Sequence, residues 1–217
     1  MTAEPLSPVL QPRWPKSQRR IGLTGGIATG KSSVGHYLAE QHALAVLDAD
    51  LYAREALAPG SAATKAVLQR YGKAVAAESQ NNATSLDRSA LGQIVFNDAA
   101  ERHWLEQLVH PIVRQRFDAE LARLAETTPV VLMIPLLFEA KLTDLCSEVW
   151  LVDCNSAQQC QRLMDRNQLS HQDSERRIAA QWPMSQKRDL ADLVIDNNGS
   201  PGSWKQYVDQ ALRQEQQ

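Results

Sequence analysis

No stretch of this chain approaches the roughly 18 continuous apolar residues that a membrane-spanning helix needs, so no helical anchor is expected. Cysteine is scarce: Cys146, Cys154 and Cys160, an odd number without CxxC spacing. That excludes a disulfide framework and a structural zinc site, and it reads as idle or buried thiols in a reducing, cytoplasmic setting. A basic excess is also missing. Lys and Arg number 23 against 25 Asp and Glu, a net charge of −2, so no nucleic-acid partner is expected. The first 17 residues lack the charged start and apolar run of a secretory signal. They hold Pro5, Pro8, Pro12 and Pro15 instead. Residues 1–18 are read as a disordered leader, in which Trp14 is free to pack on the domain. There are no internal repeats, and Gln80-Asn81-Asn82 is a polar loop rather than a low-complexity tract.

What is present is a globular composition, 43% hydrophobic and 22% charged over 217 residues. It suits one sizeable domain with a small insertion. From Arg19 onward, short apolar runs alternate with helical segments. The runs are Ile21-Gly22-Leu23-Thr24, Leu44-Ala45-Val46-Leu47, Val130 to Ile134, Val149-Trp150-Leu151-Val152 and Leu193-Val194-Ile195. This rhythm predicts an α/β fold, a five-stranded parallel sheet with helices on both faces. The core is expected at about 19–50, 127–155 and 189–217. The interval 51–126 breaks the rhythm with helical runs and no convincing strand, and Asp87 and Asp98 stand where N-caps belong. It reads as a substrate-binding insertion. The interval 156–188 is helical and arginine-rich, with a capping arrangement at Ser170-His171-Gln172-Asp173, and reads as a mobile lid. The segment from Pro201 on reads as a closing helix with a frayed end.

Gly25-Gly26-Ile27-Ala28-Thr29-Gly30-Lys31-Ser32 completes the GxxxxGK[ST] pattern between a strand and a helix. Gly26 and Gly30 let the backbone turn its N–H groups, including those of Ala28 and Thr29, around phosphate oxygens. The helix N-terminus adds to that field. Lys31 reaches the β- and γ-phosphates of ATP, the Ser32 hydroxyl coordinates Mg²⁺, and Ser33 donates toward the α-phosphate. The pattern specifies nucleotide binding, not the reaction.

Asp48-Ala49-Asp50 follows the second strand directly. Ligands of open parallel sheets gather beyond the carboxyl ends of the strands. Asp48, nearest the strand end, is the candidate general base and a candidate support for Mg²⁺. Asp50 either shares that work or caps the next helix. Arg54, four residues on, shares a helix face with Asp50 and either binds a substrate anion or forms a surface ion pair. Cations gather in the lid: Arg162, Arg166, Arg176, Arg177, Lys187 and Arg188. Phosphoryl transfer needs such groups over the γ-phosphate with water excluded. Arg166, at a helix end before Asn167, is the first candidate. A nucleoside or nucleotide kinase fits these features. A non-catalytic nucleotide switch fits less well, because the paired aspartates and the arginine lid would be idle in it.

Further motifs narrow the choice. They are Leu23-Thr24-Gly25-Gly26-Ile27, Asp48-Ala49-Asp50 with Ala53-Arg54, Pro59-Gly60 and Leu108-Val109-His110-Pro111. Pro135-Leu136-Leu137-Phe138-Glu139, Ala179-Ala180-Gln181 and Asp196-Asn197-Asn198-Gly199 follow in the same order. With them the chain resembles the dephospho-CoA kinase family from about Arg19 to its C-terminus. That family transfers the γ-phosphate of ATP to the ribose 3′-hydroxyl of dephospho-CoA. The resemblance implies a core, a helical CoA-side domain and a lid, acting on two small molecules as a monomer or small homo-oligomer. It implies Asp48 as base, Asp50, Arg54 and His110 on the acceptor side, and Asn198 near the adenine. Taken alone, His110-Pro111 also suits a helix start or a packing device. Two departures stand out. Ala28 and Thr29 replace the usual Gly-Ser, a small change that leaves N–H donation possible. Met133 stands where many members carry an aspartate, which shifts metal support to Ser32 and Asp48. Glu139 either contributes or closes a turn.

Overall fold

The computed structural model describes residue 14 and residues 18–77 and 85–214. Most of the expected leader and the loop at 80–82 lie outside the described residues. Trp14 and Gln18 do not. The Trp14 N–H donates to the Cys146 carbonyl at 2.9 Å, and its ring lies under the Arg20 guanidinium at 3.4 Å. Gln18 is buried and its amide reaches the Thr128 carbonyl. The end of the expected leader is therefore part of the packed structure.

Contacts divide the chain into two compact units, one of residues 1–47 with 126–217 and one of residues 48–125. The first holds a five-stranded sheet. Its strands are β1 (Arg20–Gly25), β2 (Ala45–Asp48), β5 (Val130–Met133), β6 (Glu148–Asp153) and β7 (Leu193–Asp196). Strands β3 (Ala76–Ala77) and β4 (Ser85–Leu86) belong to the second unit. The order across the sheet is β2-β5-β1-β6-β7. Strand β1 runs parallel to both β5 and β6, with Leu23 level with Met133 on one side and Trp150 on the other. Every residue of β1 and β5 is buried. Parallel strands covered on both faces read as unbroken apolar runs, which is why these were legible as strands. Helices α1 (Lys31–His42), α6 (Ser156–Asn167), α7 (His171–Ala179), α8 (Met184–Leu190) and α9 (Lys205–Gln214) complete the unit. The core joins Ile21, Leu23, Val131, Trp150 and Ile195 of the sheet to Val34 and Leu38 of α1 and to Trp204 and Val208 near the C-terminus. Each such side chain contributes roughly 1.5–3 kcal/mol. Met133 belongs to this cluster at 4% exposure, so its place at the strand end is an apolar one.

The second unit is helical: α2 (Ala49–Ala56), α3 (Ala62–Tyr71), α4 (Arg88–Asn97) and α5 (Ala99–Leu121). Asp87 and Asp98 cap α4 and α5 as expected, each carboxylate accepting backbone N–H bonds from the first turn. Two expectations are corrected here. The unit does contain strands, an antiparallel pair β3 (Ala76–Ala77) and β4 (Ser85–Leu86), each too short to leave an alternating pattern. And His110-Pro111 is not a helix start. Pro111 lies inside α5, which accepts the missing N–H donor rather than ending there.

A mixed cluster ties α3 to α5. Arg70 is bidentate on Glu101 at 2.7 and 2.8 Å, the Tyr71 hydroxyl reaches the same carboxylate, and Arg70 stacks on Trp104 at 4.6 Å. The Arg70 bonds, then the Tyr71 bond, pull the Glu101 carboxyl down from 4.5 to about 2. The folded value lies below the unfolded one. Its stabilisation is therefore complete above 4.5 and lost as pH falls toward about 2. Glu101→Gln is expected to flatten the pH dependence of the urea midpoint across that window. An unchanged acid limb would show that Glu101 plays no part in it.

Candidate active site

Strand β1 ends at Gly25, and the chain then curls back on itself. The Thr29 N–H and hydroxyl both donate to the Gly26 carbonyl, at 3.2 and 2.9 Å. Gly30 caps α1 with φ 97, a left-handed conformation, and the N–H groups of Ser33 and Val34 return to its carbonyl. A Cβ at Gly30 would run into the Asn197 amide. Gly30→Ala is therefore expected to lower stability by about 1–2 kcal/mol or more and to weaken nucleotide binding. Urea unfolding and ADP titration check both effects. Ala28 is also left-handed, with φ 60. Here an alanine carries a strain of about 1–2 kcal/mol that glycine would not, so Ala28, expected to be a small change, is not conformationally silent.

The carbonyls of this loop are held from outside. Gln159 of α6 donates to the Ile27 carbonyl at 2.8 Å. Arg162 of α6 donates to the Ala28 and Thr29 carbonyls, both at 3.3 Å, and to the Asn197 carbonyl at 3.1 Å. Buried Asn197, just past β7, donates to the Thr29 carbonyl at 2.7 Å. Outward carbonyls leave inward N–H groups, the polarity an anion needs. Lys31 follows as the first residue of α1, only 9% exposed, while Ser32 and Ser33 are exposed. A cleft of about 940 Å³ adjoins the loop, lined among others by Gly30, Ser33, His36, Arg162, Asn197 and Lys205.

Not every expected residue lies at the loop. The arginine there is Arg162. Arg166, one turn later, sits at the exposed end of α6 and bonds the Asn167 side chain. Lys187 and Arg188 are corrected as lid cations. Lys187 is fully buried with its ammonium 2.7 Å from Glu139, though off hydrogen-bonding alignment. Arg188 is bidentate on Asp153 at 2.6 and 3.1 Å. Glu139 also accepts from the Trp182 N–H, 43 residues on, so it braces the segment after α7 rather than closing its own turn. Asn198 accepts from the Asn155 backbone and side chain at 2.8 Å, while its neighbour Asn197 lines the cleft. Cys154 lies 3.4 Å from Arg162, but burial pushes its thiol up and the guanidinium only partly opposes that, leaving it unreactive. All three cysteines are free and buried.

In the helical unit, Asp48 both closes β2 and caps α2, its Oδ1 accepting from the Asp50 N–H at 2.9 Å. The cap is thus Asp48, and Asp50 sits exposed in the first turn. Arg54 and His110 are exposed on α2 and α5. Among the described residues no three His, Cys, Asp or Glu side chains gather as a metal cage. No helix among them is long and apolar enough to cross a membrane. Mg²⁺ bound largely by phosphate oxygens and water, with one hydroxyl ligand, fits such a donor set.

The model of the dephospho-CoA kinase family (CoaE) matches residues 19–202. A dephospho-CoA kinase of Prochlorococcus marinus strain MIT 9313 is 65% identical over 198 residues, covering 91% of this chain and 97% of its own. One from Synechococcus elongatus is 50% identical over 196 residues, covering 90% and 91%. Among solved structures, TT1252 from Thermus thermophilus superposes with a TM-score of 0.76 at 33% identity, over 92% of this chain and 98% of that one. Dephospho-CoA kinase from Campylobacter jejuni, at 23% identity and a TM-score of 0.63 over 91% and 98%, shares the fold.

Proposed function

The chain belongs to the dephospho-CoA kinase family, and from that premise we propose how its residues carry out the reaction. It is an ATP-dependent kinase acting on dephospho-CoA, consistent with the last step of CoA biosynthesis. The reading assigns the γ-phosphoryl of ATP to the ribose 3′-hydroxyl of the acceptor. The observation that carries it is the loop at residues 25–32, with its carbonyls tied outward and buried Lys31 leading into α1.

In this reading the residues from Gly26 to Ser33 and the Lys31 ammonium hold the phosphates, with the Ile27 and Thr29 N–H groups spent on Gln181 and on the Gly26 carbonyl rather than on phosphate. The adenosine end occupies the cleft beside Arg162 and Asn197. Asn198 belongs to the adenine side through the turn it holds with Asn155. Asp48 accepts the proton of the attacking 3′-hydroxyl as the new P–O bond forms and ADP leaves. Asp50, Arg54 and His110 bind the acceptor, so the helical unit is its platform. Ser32 and Asp48 would hold Mg²⁺, which neutralises phosphate charge when bound. Residues 156–188 act as a lid, and Arg166, four residues beyond Arg162, is the arginine that closure brings to the γ-phosphate. We place the enzyme in the cytoplasm, as a monomer or small homo-oligomer working on small molecules. Its three free, buried thiols support a reducing compartment.

A coupled ADP-release assay tests the assignment with dephospho-CoA, nucleosides and nucleoside monophosphates as alternative acceptors. Turnover is expected with dephospho-CoA and Mg-ATP, and far less with the others. Silence with dephospho-CoA, or preference for a monophosphate, would sink it.

A further inference from the structure

The phosphate loop does not hold its shape by its own bonds alone. We propose that Gln159 and Gln181 are positioning residues that pin both backbone polar groups of Ile27 and so join the lid helices to the loop. The proposal rests on reading residues 25–32 as the nucleotide's phosphate loop.

The two bonds come from either end of the α6–α7 hairpin. The Gln159 amide, on α6, donates to the Ile27 carbonyl at 2.8 Å. The Gln181 side-chain oxygen, just beyond α7, accepts the Ile27 N–H at 2.8 Å. These groups belong to the peptides on either side of the Ile27 Cα, so together they set the orientation of two successive peptide planes. In a trans peptide the N–H and C=O point opposite ways. With the Ile27 carbonyl turned to Gln159, the Ala28 N–H of the same peptide points the other way. With the Ile27 N–H turned to Gln181, the Gly26 carbonyl points back to Thr29, whose N–H and hydroxyl it accepts.

The next residue shows why the grip is needed. Ala28 is held at φ 60, a conformation an alanine leaves unless its surroundings over-determine it. Both glutamines are themselves braced. Gln159 is 2% exposed, and a Cβ at Gly26 would lie 2.6 Å from its amide nitrogen, so the loop and α6 touch with no room between. Gln181 precedes Trp182, whose N–H is held by Glu139, and Glu139 is in turn paired with fully buried Lys187. This gives the Lys187–Glu139 pair a role: it is the strut behind Gln181. A displacement of the hairpin breaks one or both bonds, so hairpin position and loop shape are linked.

Methionine matches glutamine in length but neither accepts nor donates usefully here. Gln181→Met and Gln159→Met are each expected to weaken ADP binding, measured by calorimetry, roughly five- to tenfold. The KM for ATP should rise by the same factor while the KM for dephospho-CoA stays put. The double variant should lose less than the product of the two, because both bonds hold one residue. If buried Gln159→Met fails to fold, Gln181→Met at its half-buried site carries the measurement. Wild-type ADP affinity in the folded variants overturns the proposal alone. So does an equal rise in both KM values with a lower melting temperature, the mark of a merely structural role. A wild-type protein that binds no ADP overturns the phosphate-loop reading, and this proposal with it.

Discussion

Lys31→Ala is expected to reduce kcat/KM for ATP by on the order of 10²–10³-fold or more, the cost of removing one preorganised charge from a developing oxyanion. The reason lies in where the chain puts this lysine. Gly30, at φ 97, turns the backbone so that Lys31 is the first residue of α1, at its positive end. The side chain is only 9% exposed, so its charge acts where water screens it least. A solvated lysine would contribute far less. The measurement is steady-state kinetics in the coupled assay. Circular dichroism and the melting temperature serve as controls that α1 and the sheet remain intact. Kinetics within about threefold of wild type would overturn the phosphate-loop assignment.

Asp48→Asn is expected to lower kcat by roughly 10²–10⁴-fold while ADP affinity changes less than about threefold. This substitution separates two jobs. Asp48 caps α2 through Oδ1, and asparagine caps a helix about as well as aspartate. The start of α2 should therefore survive in the variant. What asparagine cannot do is take a proton from an attacking hydroxyl. Asp48→Ala would remove cap and base together, and its result would be ambiguous. Kinetics of Asp48→Asn at saturating ATP and dephospho-CoA, with parallel ADP titration, make the test. Full turnover would reject Asp48 as the base. A matching loss of ADP affinity would recast it as part of the nucleotide site.

Much of this molecule was readable in the chain. All five sheet strands appeared as short apolar runs; for β1, β5 and β6 the reason is that a strand covered on both faces has no polar side to show. Asp87, Asp98 and Ser170 were readable as caps, since a cap bonds N–H groups two or three residues away. The phosphate loop was readable for the same reason: its glycines, lysine and serine act within one turn of backbone.

The misplacements have a common cause. Pro111 reads as a boundary, yet α5 runs through it, held by packing along a 23-residue helix. Lys187 and Arg188 read as lid cations, yet Glu139 and Asp153 claim them. Asn197 and Asn198 are indistinguishable in the string, and only the fold puts the first against the Thr29 carbonyl.

The phosphate loop marks the division. By itself the sequence determined that a loop of this composition, set between a strand and a helix, would present backbone N–H groups and a lysine to phosphate. Those are short-range consequences of glycine conformation and chain order. Which side chains would hold the loop in that shape was decided by tertiary structure alone. Gln159 and Gln181 reach Ile27 across 132 and 154 residues of chain. A hydrogen bond between such distant partners depends on how helices seat against a sheet, and no local pattern encodes it.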